Sequence, residues 1–161
     1  MKTYKQQVEE AVDFVKHHVK HPPLIGIMTG TGLGESIDAL EVKKAFDYSE
    51  IPNISVSTVQ SHSGRLLSGT LEGLGVLACQ GRLHLYEGYS ITDVTLPVHV
   101  MCGLGIRTLI VSNAAGGLNP NFSAGDVMVL NGHLNRMHRK PLDDVTESPA
   151  GVWIQSTLRP Y

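Results

Sequence analysis

Apolar residues recur at spacings of three and four near the start of the chain. Tyr4, Val8, Ala11, Val12, Val15 and Val19 fall on one face, which predicts an amphipathic helix over 3–20. Pro22 and Pro23 end it. Leu24–Met28 is then a continuous apolar run bounded by Pro and Gly, the pattern of a short buried strand. A short helix is predicted near 35–40. Runs rich in β-formers follow at 54–59, 66–71 and 76–79, separated by turn-forming stretches at 61–64 and 72–75. They read as an antiparallel meander inside a larger sheet. A second helix is predicted over 91–104, with Pro97 as a kink or a late start. Thr108–Ser112 is a strongly apolar strand, and a further strand is predicted over 126–130. Strands that alternate with helices predict an α/β fold: a central mixed β-sheet flanked by helices, mixed because of the meander.

Composition narrows the function classes. The 161 residues fit one domain, with 42% hydrophobic and 17% charged residues, enough for a sizeable core. A formal net charge of −2 speaks against a nucleic-acid or membrane-surface partner, which calls for a clustered basic excess. The N-terminus mixes Lys2, Lys5, Glu9 and Glu10 and is no signal peptide. No apolar run approaches the ~20 residues of a membrane span. Cys79 and Cys102 lack metal or redox spacing and read as two reduced thiols. The expected location is the cytoplasm. His17, His18 and His21 cluster, but Pro22 and Pro23 disrupt their geometry and no carboxylate accompanies them, so no metal is expected.

Three segments that follow predicted strands carry the candidate chemistry, because sites in α/β sheets gather beyond strand ends. GTGLG (30–34) lets backbone N–H groups approach an anion, and Thr31 adds a hydroxyl. Its spacing is neither that of a dinucleotide fingerprint nor that of a P-loop. A tight turn without ligand fits it equally. In GRLHLYEGY (81–89), Arg82, His84 and Tyr86 lie two apart and point to one side of an extended chain. A guanidinium on that wall is an anion clamp. Glu87 has the opposite parity and needs a bend to join. SNAAGGLNP (112–120) offers small residues and amide donors at a strand end. His62, in SHSGR (61–65), sits at a turn tip.

GTGLG, HSGRL, QGRLHLYEGY and SNAAGGLNPNFSAGDVMVLNGHLN stand in this order, and over residues 5–135 the chain resembles the trimeric type of purine nucleoside phosphorylase. Methylthioadenosine phosphorylases are close relatives, but QGRLHLYEGY is more similar to the purine nucleoside enzymes. The resemblance implies a three-layer fold and reversible phosphorolysis of purine nucleosides to free purine and ribose 1-phosphate. It implies a homotrimer, inorganic phosphate as co-substrate and no other cofactor. Carried over by position, it implies phosphate contacts from Thr31, His62, Arg82, His84 and the Ala114 amide. It implies a ribose contact from Tyr86, and a carboxylate, Glu87, that orients His84.

The match weakens after Asn135. Gly132 stands where the family has an Asp before His133, and beyond Arg136 only Pro141, Leu142, Gly151 and Tyr161 fall where relatives have similar residues. The expected organisation is therefore the N-terminal part of one phosphorylase domain over 1–135 and a divergent tail over 136–161. Family members continue further, into the part that supplies the purine-binding Glu and Asn. The resemblance thus implies a truncated chain with the phosphate and ribose half-site, either as part of an active enzyme or as a remnant that binds phosphate only.

Overall fold

The computed structural model describes residues 2–19, 23–30, 37–56 and 64–132. The first helix, α1, spans Tyr4–His18. Thr3 caps it, accepting from the Gln6 amide while the Gln6 side chain accepts from the Thr3 amide, so two otherwise orphaned donors are satisfied. His17 and His18 turn their Nδ1 atoms onto the carbonyls of Asp13 and Phe14 at 2.6 and 2.7 Å. They close the end of the helix, and His21 lies outside the described residues.

Five strands follow: β1 (Ile25–Met28), β2 (Glu41–Asp47), β3 (Arg65–Leu71), β4 (Leu74–Gln80) and β5 (Thr108–Val111), in the sheet order β2-β3-β4-β1-β5. β2, β3 and β4 form the antiparallel meander, while β1 runs parallel to both β4 and β5. The sheet is mixed, as expected. The β3–β4 turn places both Glu72 and Gly73 at positive φ, 48° and 78°, the type I′ geometry that suits hairpin twist. The second helix, α2 (Ile91–Gly103), is capped by Ser90 and contains Pro97.

Alternation on the strands sorts their side chains between two faces. Leu66, Leu77, Cys79 and Met28 join Val8, Ala11, Val15, Leu96, Val100 and Met101 in the main core beneath α1 and α2. Leu67, Val76 and Ala78 face the other side, where Ile37 and Leu40 cover them.

Two expectations about elements change. The meander takes its outer strand from 41–47 instead of 54–59: residues 54–56 are not a strand, and 57–59 lie outside the described residues. β2 escaped the pattern because only Phe46 along it is buried, so it carries almost no apolar alternation. Residues 126–130 form no strand: Val127, Met128, Val129 and Leu130 are exposed, and no described strand pairs with the outer edge of β5. Of the short helix expected near 35–40, residues 35–36 lie outside the described residues; Ile37 is in 3-10 conformation, and the Leu40 amide donates to its carbonyl at 2.8 Å.

Candidate functional site

β1, β4 and β5 are parallel neighbours, so their C-terminal ends lie side by side. The segments that leave them begin at Thr29, Gly81 and Ser112. Arg82 joins all three. Its Nη1 donates to the Ser112 carbonyl at 3.1 Å, and its Nε donates to His84 Nε2 at 3.3 Å. A Cβ built on Gly30 would stand 3.3 Å from Arg82 Nη2, 2.7 Å from the Ser112 carbonyl oxygen and 2.9 Å from the Asn113 Cα. Only glycine admits this approach. The Gly30 amide also donates to Ser112 Oγ at 3.2 Å. Backbone from two strand ends and a guanidinium from a third thus meet in one place.

The 81–89 segment is not simply extended. His84 is (φ −127°, ψ 148°), but Leu85–Glu87 then forms a 3-10 turn, closed by Gly88 at φ 93°. The turn supplies the bend that Glu87 requires. One carboxylate oxygen, Oε1, accepts from the His84 amide at 3.0 Å and sits 2.7 Å from His84 Nδ1. Because Nε2 accepts from Arg82, the imidazole proton belongs on Nδ1, where it donates to Glu87. Tyr86 stacks its ring on His84, with centroids 4.8 Å apart and 16° between planes, and its outer side is open at 83% exposure.

Arg82, His84, Tyr86 and Glu87 are therefore brought together. Ala114 is exposed two residues beyond Ser112, on the same loop. Thr31 and His62 lie outside the described residues, although Gly30, the neighbour of Thr31, is in the group. Pattern reading missed Ser112 as a bridging residue; its position at the end of an apolar strand was the available signal. It also missed Tyr48, whose hydroxyl donates to the Gly81 carbonyl at 2.9 Å. Chemically, a fixed guanidinium beside an imidazole held by a carboxylate suits a small anion. Among the described residues no group of three or more His, Cys, Asp or Glu could hold a metal ion, and no helix is long and apolar enough to cross a membrane.

Comparison with known proteins identifies the family. The phosphorylase superfamily model matches residues 24–156. Purine nucleoside phosphorylase 1 of Bacillus subtilis is 47% identical over 148 residues, covering 92% of this chain and 55% of that protein. Purine nucleoside phosphorylase of Rattus norvegicus is 47% identical over 130 residues, covering 81% and 45%. Among solved structures, a purine nucleoside phosphorylase in complex with ribose 1-phosphate superposes with a TM-score of 0.72 at 43% identity, covering 78% of this chain and 47% of that one. The Schistosoma mansoni enzyme with a monocyclic inhibitor gives 0.71 at 42% identity, covering 78% and 47%. The chain spans about half the length of the curated relatives it matches.

Proposed function

The chain belongs to the phosphorylase superfamily, and on that premise we propose that it carries the phosphate and ribose half-site of a purine nucleoside phosphorylase. The observation that supports this best is Arg82, held at once against Ser112, His84 and the Gly30 backbone. In this reading Arg82 binds inorganic phosphate together with the Ala114 amide, Thr31, His62 and His84, whose Nε2 exchanges its contact with Arg82 for a hydrogen bond accepted from a protonated phosphate oxygen. Tyr86 lies against the ribose, and Glu87 orients His84. Breaking the bond from C1′ to the purine nitrogen builds positive charge on the ribose ring. A phosphate held beneath C1′ stabilises that charge, and its oxygen then forms the new bond to C1′ as the purine leaves with the glycosidic electron pair. Positioning and electrostatics supply most of this catalysis. The same reading carries a place in purine salvage, a cytoplasmic location and a homotrimer, with residues 1–135 as part of one domain and 136–161 as a divergent tail.

Phosphate titration by calorimetry tests it. The unsubstituted chain is expected to bind inorganic phosphate. Arg82→Ala should weaken binding at least tenfold, since a charged hydrogen bond contributes roughly 1.5–3 kcal/mol. Arg82→Lys should recover only part, because it lacks the fork that reaches Ser112 and His84 together. Unchanged affinity in Arg82→Ala would refute the assignment. Binding and turnover are read separately. Phosphate-dependent release of hypoxanthine from inosine separates the two.

A further inference from the structure

We propose that Tyr48 is a positioning residue for the anion cradle, setting the direction of Arg82 from within the core. The inference rests on the phosphate reading above. β4 ends at Gln80, and among the described residues no backbone amide donates to the next carbonyl. The chain leaves the strand through Gly81 at φ 88°. The Tyr48 hydroxyl takes over there, donating to the Gly81 carbonyl at 2.9 Å. That carbonyl shares one rigid peptide plane with the Arg82 amide, so holding it fixes the orientation with which Arg82 begins.

Tyr48 is itself held tightly. It is 2% exposed, and its amide donates to the Gly64 carbonyl at 2.9 Å. Its ring lies flush on Gly64: a Cβ there would fall 2.2 and 2.4 Å from Cδ2 and Cε2. A Cβ on Gly81 would in turn stand 3.4 Å from the Gly64 Cα. The ring thus has no room to swing its hydroxyl away from Gly81. Burial pushes the Tyr48 hydroxyl well above its ordinary pKa, so it remains a protonated donor wherever phosphate binds.

The test uses the full 161-residue chain and inorganic phosphate. Tyr48→Phe keeps the ring on Gly64 and removes only the hydroxyl. It should weaken phosphate binding roughly fivefold, the factor that one lost neutral hydrogen bond represents, and should shift the NMR resonance of the Arg82 Nε–H. Phe46→Leu is the control. Phe46 lies in the same core cluster, so this variant should lower the unfolding midpoint and leave both readouts in place. Site-specific 3-fluorotyrosine at position 48 is the second variant. It retains the ring, strengthens the donor and should move the Arg82 resonance without loss of fold. Wild-type affinity in Tyr48→Phe, an equal loss in Phe46→Leu, or a stationary Arg82 signal with fluorotyrosine would overturn the proposal. Arg82→Ala separates the two ideas. If it abolishes binding while Tyr48→Phe does not, the phosphate reading stands and the role of Tyr48 falls. If it binds as the unsubstituted chain does, both fall.

Discussion

At the scale of single residues, close approach and orientation govern the site. Gly30 faces two backbone atoms of the β5 loop at distances no Cβ tolerates. Gly30→Ala should force the loops apart, costing about 1–3 kcal/mol and lowering phosphate affinity together with the urea midpoint. Glu87 acts differently. Its Oε1 accepts from both the His84 amide and the His84 ring. Glu87→Ala releases the imidazole and should weaken phosphate binding roughly fivefold, on the order of one hydrogen bond. Glu87→Gln retains an acceptor at the same place and should keep most of the affinity; calorimetry on the pair distinguishes orientation from charge. The sequence displayed the types of these residues well, but Glu87 showed why parity is insufficient. It lies on the wrong side of an extended strand, and only the 3-10 turn over Leu85–Glu87 returns it to His84.

Among the elements, those with a strong apolar period were the legible ones. α1, β1, β3, β4 and α2 follow the periods written in their residues, because each buries at least one packed face, while β5 was legible as an apolar run although only Leu109 along it is partly buried. β2 was not legible, since five of its seven residues preceding Phe46 are exposed and its existence depends on pairing with β3. Residues 126–130 show the converse. A strand-like composition makes no strand where no neighbour receives its hydrogen bonds. α2 needs its cap more than its composition suggests, because Pro97 removes one amide from its interior. Ser90 accepts from the Asp93 amide at 3.1 Å while Asp93 accepts from the Ser90 amide at 3.0 Å. Ser90→Ala should therefore cost about 1 kcal/mol, read as a lower urea midpoint with an unchanged m value.

For the whole molecule, the core has a titratable centre. Cys79 is completely buried, and burial pushes its thiol from the usual value near 9.0 up to about 11; Tyr48 is raised in the same sense. The unfolded chain therefore loses these protons first as the solution becomes alkaline. Stability is fully present below pH ~9 and should fall by on the order of 2–3 kcal/mol towards pH 11 from the thiol alone. Urea titrations across this range check it, and Cys79→Ala should flatten part of the decline. The placement of β1 has a different consequence. It precedes both of its sheet partners in the sequence, and the Gly30 amide waits for Ser112, 82 residues later. Contacts of such span are assembled late and slowly. A nascent polypeptide on the ribosome cannot make the Gly30–Ser112 contact until Ser112 has emerged, so on the proposed reading phosphate should stabilise only the finished fold, by mass action after folding.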